Sequence, residues 1–289
     1  MYSDKRLRFE FENYTGAFDD KGNTSLSISN CKAMCKISYY GNSAGFQTEV
    51  TLYGLGLELI AALSAKGIGP YTDQLARIGM TIYANDTQVF AGQILSSYAN
   101  MNAVPDASLV ISAMAGLELG RRAAKPFSLQ GSQPYKDMLE AICKNNGYTF
   151  RGVGIDGIIA TNPYFDGSVL DQIRYACNAA GISYAVNGKT ITAWRQGVQV
   201  DDVVPLVSKQ YGLIGYPVFT PSGITFQSQF STYLAQGRYV KLITDLPHAS
   251  GTYQLFAVDH YLSSWVKDGP WMTISQGTKI PDAGTTKQQ

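Results

Sequence analysis

Apolar residues recur at every second position over much of this chain, and that spacing commits it to strands with one dry face. In LRFEFE (7–12), Leu7, Phe9 and Phe11 fall on one side and the charged residues on the other. SLSISN, CKISYY and QTEVTLYG continue the period, and TIYANDTQVFAGQILSSYA places an Asn85-Asp86 turn between two more strands. The span 55–66 interrupts this pattern: Leu55, Leu59, Ile60 and Leu63 follow helical spacing, and Gly67 supplies a stop. The expectation is six or so strands with one short helix, ending near SLVISAMAG (108–116) and forming a compact barrel or sandwich.

At 289 residues the chain has room for two or three domains with real cores. A 45% hydrophobic content with 16% charged residues marks a globular chain, and a net charge of +1 gives no overall attraction to nucleic acid or acidic lipid. Partners of such a chain are recognised by shape and local chemistry. No run approaches the ~20 apolar residues of a membrane span. The opening MYSDKRLRFEFE carries charge without the apolar core of a signal peptide, so cytoplasmic synthesis and initial residence are expected. Cys31, Cys35, Cys143 and Cys177 are too few and too dispersed for a disulfide framework.

Between about 123 and 197 the pattern changes to an internal repeat. KDMLEAICKNNGYTF (136–150) lies over LDQIRYACNAAGISY (170–184), matching Asp137 with Asp171, Leu139 with Ile173, Cys143 with Cys177, Gly147 with Gly181 and Phe150 with Tyr184. Each copy reads as a helix, a glycine cap and a strand, so the expectation is two helix–strand units side by side in a small α/β domain. The two cysteines then act as small hydrophobes on buried helix faces. From about 200 strands return in RYVKLITD, TYQLFAVDHYLSS and WMTISQGT, before a polar tail, PDAGTTKQQ. The hairpin LIGYPVFTPSGITFQSQF (213–230) belongs here: Ile224, Phe226, Ser228 and Phe230 share one face, and Thr225, Gln227 and Gln229 the other. Thr220-Pro221-Ser222-Gly223 is its turn.

Catalytic motifs are sparse. GVGIDG (152–157) matches G-x-G-x-x-G, but IIATNPYF follows where a phosphate-binding helix should begin, so it reads as a strand connection. Asp259-His260 near Ser263 and Ser264 suggests a triad only superficially, because strand neighbours point to opposite faces; His260 is expected to be a partly exposed strand histidine. His248 has no recognisable partner. Cys31 and Cys35 with two histidines in the whole chain make a poor zinc set. Asp19-Asp20 and Asp201-Asp202 read as loop carboxylates, and Arg121-Arg122 with Lys125 as a solvated linker face. Tyr216, Phe219, Phe226, Tyr253, Phe256, Trp265 and Trp271 crowd the last region and read mainly as core, with Trp265 and Trp271, which flank a turn, as candidates for a subunit interface. No catalytic, cofactor or metal residue is assigned.

Taken in order, TEVTLYGLGLELIAALSAKG, QVFAGQIL and SLVISAMAG, then the helix–glycine–strand pair, then LIGYPVFTPSGITFQSQF, GRYVKL and GTYQLFAVDHYLSSWVKDGPW, resemble the central baseplate hub proteins of contractile-tailed bacteriophages. The resemblance implies a mainly β chain with α+β character: two tail-tube-like β-barrel domains, 1–122 and 200–281, flanking a small α/β domain, 123–199, with a flexible tail at 282–289. It further implies a homotrimeric pseudo-sixfold ring in the virion tail baseplate, assembled in the host cytoplasm. The ring would join the sixfold tail tube protein to the threefold central spike protein, with tape-measure protein and other baseplate proteins as neighbours. Specific nucleic-acid binding, membrane association and enzymatic activity are not expected. The chain departs from longer hubs in having no recognisable lysozyme or peptidase segment. A hub-associated peptidoglycan hydrolase and a carbohydrate-binding β module are the alternative classes.

Overall fold

The computed structural model describes residues 5–40, 45–64, 77–102 and 106–281. Gly67 and the tail 282–289 lie outside the described residues. The elements run β1 (Leu7–Asn13), β2 (Ser25–Ser29), β3 (Ala33–Tyr40), β4 (Gly45–Tyr53), α1 (Leu57–Leu63), β5 (Ile78–Ala84), β6 (Thr87–Asn100), β7 (Ser108–Met114) and α2 (Leu117–Arg121). They continue through β8 (Phe127–Ser128), β9 (Ser132–Pro134), α3 (Tyr135–Asn145), β10 (Thr149–Val153), β11 (Ile159–Thr161), β12 (Tyr164–Phe165), α4 (Val169–Ala180), β13 (Ile182–Asn187) and β14 (Thr190–Arg195). The last strands are β15 (Leu206–Val207), β16 (Leu213–Thr220), β17 (Gly223–Gln229), β18 (Tyr239–Leu242), β19 (Gly251–Ser264) and β20 (Trp271–Lys279). The fold is mainly β, with large antiparallel sheets.

The chain forms two compact units. The first takes Met1–Ile37, Phe46–Glu118 and Tyr261–Trp271. Within it the strands lie in the order β3-β4-β7-β6-β5-β1-β2. The alternation in β1 sets its register: Phe9 stands opposite Ile28 on β2 and Ile82 on β5, and Phe11 opposite Met80, so apolar residues meet apolar residues on both sides. The three partners Ile28, Ile82 and Met80 are buried with Phe9 and Phe11, each worth roughly 1.5–3 kcal/mol against exposure. A slip of one residue would turn every one of them to solvent. The Asn85-Asp86 turn forms as expected, with φ of 47° and 66°, the left-handed pair that a two-residue hairpin requires. Helix α1 buries Ile60 and Leu63 but begins two residues later than the periodicity suggested, because Gly56 is extended and leaves Leu55 outside the helix.

The second unit takes Ser38–Gly45, Leu119–His260 and Met272–Gln289. It contains the two helix–strand copies of the repeat. Cys143 on α3 and Cys177 on α4 are both fully buried, in one apolar cluster with Leu139, Ile173, Ile182 and Ile191. Burial pushes the Cys143 thiol up to about 12 and raises that of Cys177 as well, so both remain neutral core residues. The helices of the two copies, α3 and α4, share that cluster, while their strands are not in direct ladder contact. Strand β14 lies between them, parallel to β10 and antiparallel to β13, because the second copy doubles back through a tight turn at Gly188 before the sheet is complete.

The copies also differ at their helix starts. Ser168 caps α4 in a capping box, its hydroxyl accepting from Asp171 N at 3.2 Å while Asp171 Oδ2 accepts from Ser168 N at 3.2 Å. Helix α3 follows Pro134 and has no side-chain cap, although Asp137 occupies the matching position.

A second cluster in this unit gathers Val207, Ile224, Phe226, Val240, Leu242, Tyr253 and Leu255. It is the dry side expected of β17, whose residues alternate between buried and half-buried as read from the sequence. Gly223 closes the β16–β17 turn with φ of 139°, and a β-carbon there would run into the carbonyl oxygen of Gly277 on β20.

Replacing the one side-chain cap gives a direct test of the helix asymmetry. Ser168→Ala should lower stability by about 1 kcal/mol in urea unfolding, whereas Asp137→Ala in α3 should change it by less than half as much.

Candidate assembly surface

The surface of the β16–β17 hairpin departs most from an ordinary soluble face. Strand β17 is held by β20 on one side, from Ile224↔Gly277 to Gln229↔Met272, and by β16 on the other. Among the described residues β16 pairs only with β17, so its outer edge is open. Its pairing shifts between Ile214↔Gln227 and Val218↔Thr225, where four steps on β16 oppose two on β17. Gly215, at φ of 68°, begins the resulting bulge, and Pro217 is its one buried residue.

The bulge breaks the period of two. Ile214, Tyr216, Val218 and Phe219 are all exposed, Tyr216 by 68% and Phe219 by 55%, although the sequence pattern placed both rings in the core. Tyr211 and Tyr233 are also exposed. No charged side chain occurs between Lys209 and Arg238. Exposed apolar side chains without charge nearby in sequence suit a protein contact, since they can be covered without desolvating an ion.

The candidate triad resolves into structural hydrogen bonds. Ser38 Oγ donates to Asp259 Oδ1 at 2.5 Å and Tyr40 OH donates to Oδ2 at 2.7 Å, so the buried carboxylate has a donor on each oxygen. On the opposite face of β19, His260 Nδ1 lies 2.8 Å from Thr273 Oγ1. The rings of Tyr39 and Phe230 meet the imidazole edge-to-face at 5.4 and 5.1 Å. His260 is 2% exposed, not partly exposed as expected, because β19 is buried on both faces from Ala257 to His260. That burial pushes its pKa down to about 3, so the ring is neutral. Ser263 Oγ donates to Pro270 O and Ser264 Oγ to Cys31 O, which commits both hydroxyls to backbone carbonyls.

Other candidate residues take local structural roles. GVGIDG connects β10 to β11 without a helix, with Gly154 and Gly157 at positive φ and Asp156 paired to Lys136 at 2.7 Å. Asp19 accepts from the backbone of Lys21 and Asn23, and the Asn23 bonds hold its carboxyl below the usual range. Asp201 does more than its loop position suggested: Arg238 Nε donates to both its oxygens, at 3.0 and 2.7 Å. Arg122 donates to Asn146 O at a helix end, and His248 is exposed in a turn. Cys35 is buried 3.5 Å from Thr48 Oγ1, with its thiol pushed up to about 12. Among the described residues no cluster of three metal-ligating side chains occurs, and no helix is long and apolar enough to cross a membrane.

With this geometry in place, the architecture matches solved bacteriophage tail proteins. A tail protein from Neisseria meningitidis MC58 superposes with a TM-score of 0.62 at 9% identity, over 94% of this chain and 96% of that one. The 43 kDa tail protein of prophage MuSo2 from Shewanella oneidensis gives 0.63 at 7% identity, over 96% and 97%. A component of the E. coli type VI secretion system, itself structurally similar to the bacteriophage T4 tail proteins gp27 and gp5, gives 0.58 at 12% identity, over 87% and 74%. The mainly β tail-protein fold expected from the resemblance is therefore observed. No protein-family model and no curated protein sequence matches the chain.

The buried imidazole sets an acid limit on stability. The unfolded chain takes up a proton at His260 near pH 6.5, whereas the fold refuses it down to about 3. Stability from this residue is therefore complete above pH 6.5 and declines as pH falls towards 3, by up to ~1.4 kcal/mol per pH unit. Urea unfolding at a series of pH values should show His260→Gln less stable at pH 7 but with a flatter decline below pH 6.

Proposed function

We propose that this chain is a non-enzymatic structural protein of a phage tail or related contractile injection device, and that three copies form the hub ring between a sixfold tube and a threefold spike. The observation that carries this reading is the uncharged edge strand β16, along which Ile214, Tyr216, Val218 and Phe219 are all exposed. A monomer gains nothing from two aromatic rings in water, whereas a neighbouring copy that covers them removes apolar area worth roughly 25 cal/mol per Å². The tail-protein fold supports the same reading, because it is shared over nearly the whole chain with proteins described as tail components.

In this assembly the β regions 1–122 and 200–281 are the two tube-like parts of each copy and 123–199 is the small domain between them in sequence. Tube, spike and tape-measure proteins and other baseplate proteins are the neighbours, and the virion baseplate is the location after assembly in the host cytoplasm. The hydrolase alternative loses its best residues to structural roles, since Asp259, Ser263 and Ser264 are each bound to other groups of the fold.

Native mass spectrometry of the purified chain should give a trimer. The double variant Tyr216→Ser/Phe219→Ser should shift it to monomer with an unchanged circular-dichroism spectrum, while Tyr164→Ser, at another exposed ring, should leave the trimer intact. A wild-type monomer that cleaves cell-wall material would overturn the reading.

A further inference from the structure

A cleft of about 320 Å³ opens in the second unit with no charged side chain on its walls. The register of β13 with β14 places Ser183 opposite Trp194 on one wall, with Gln196 just beyond. On the other wall β19 contributes Gln254 and Phe256, two residues apart and so on one strand face. Ser222 and Thr278 complete the rim, and Thr278 Oγ1 donates to Ser222 O at 3.1 Å.

The floor is fixed before any ligand arrives. Gln254 is 6% exposed and fully bonded: Nε2 donates to Val198 O at 2.8 Å and Gly237 O at 3.2 Å, while Oε1 accepts from Gly197 N at 2.7 Å. Gln236 Nε2 donates to Phe256 O at 3.1 Å, which orients a second side-chain amide at the cleft. Gly237, at φ of 82°, lets the backbone lie against the Trp194 ring, where a β-carbon would collide. The rim differs from the floor. Among the described residues neither the Ser183 hydroxyl nor the Gln196 amide takes a hydrogen-bond partner, and Gln196 is exposed.

The chemistry of these walls selects the ligand. A phosphate or carboxylate would find no cation, an ammonium would find no carboxylate, and an apolar molecule would face amides and hydroxyls on most sides. A sugar suits all three conditions: vicinal hydroxyls pair with planar amides that donate and accept at once, and its C–H face can lie on the half-buried Phe256 ring. The volume stands at the lower end of the roughly 300–1,000 Å³ of small-ligand sites, which fits a short saccharide rather than a long chain. We propose that this cleft binds a neutral saccharide, held by Gln196, Ser183 and Gln236 against Phe256. The cleft meets the β16–β17 hairpin only at Ser222 in its turn, and the residues proposed to hold the sugar lie outside that hairpin, so sugar binding is tested independently of ring assembly.

Saturation-transfer NMR and calorimetry on the full chain, with maltose, cellobiose, lactose and chitobiose as probes, test the assignment. At least one disaccharide should bind with a Kd on the order of 1 mM, as expected for a few hydrogen bonds exchanged with water. Gln196→Ala with Ser183→Ala should weaken it at least tenfold without changing the melting temperature, and Gln227→Ala, outside the cleft, should bind as wild type. Absence of binding by all four sugars, binding unaffected by the double variant, or displacement of the sugar by a neutral Ser/Gly-rich peptide at lower concentration would each overturn the proposal.

Discussion

A buried carboxylate must be paired or neutralised, and Asp259 is paired from a single direction by two residues of one strand. Ser38 and Tyr40 stand two apart on β3, so both reach the same side, and each occupies one oxygen of the carboxylate. Sliding β3 by one residue would replace both donors at once and leave an ion buried without partners, a loss of several kcal/mol. This bond therefore specifies register more sharply than apolar packing does, because apolar neighbours tolerate exchange and a desolvated charge does not. Both strands change unit beside it, β3 at Ser38 and β19 after His260. The neutral imidazole on the reverse face is the counterpart: a group that is harmless in the core only while it stays uncharged.

The sequence was most legible where one face of an element is dry and the other wet. In β1 and β17 the alternation of Leu7, Phe9 and Phe11, and of Ile224 and Phe226, gave both the element and its buried side. The helix–glycine–strand repeat was visible for the same reason, since Cys143 and Cys177 mark equivalent buried positions and Gly147 and Gly181 both take positive φ. Legibility failed where both faces share one environment. Strand β19 is covered on both sides, so alternation said nothing about His260. The β16 bulge spans Tyr216 and adds residues that no periodicity marks, although Gly215 and Pro217 were a local signal that the strand is irregular. The insertion of β14 between the two copies is a matter of topology, which internal similarity does not encode.

Sequence identities of 7–12% with solved tail proteins over most of their length show how few side chains this fold demands. The structure explains the tolerance. Most positions need only an apolar group on the correct face, and the exacting ones are few: the carboxylate at 259, glycine at 223 where the backbone meets Gly277, and the left-handed residues of tight turns. A chain built on such requirements can diverge widely at its surface while keeping its ladders.

The bulge in β16 has a consequence for the protein before it meets any neighbour. A straight, uncharged strand edge would template the addition of further strands without limit, and at cellular concentrations that leads to amyloid-like precipitation. Pro217 lacks an amide proton and the extra residues bend the edge away, so a foreign strand cannot zip along it. The side chains of Tyr216 and Phe219 remain presented even though the backbone is blunted. Stickiness is thereby transferred from the main chain, which accepts any sequence, to rings that need a shaped complement.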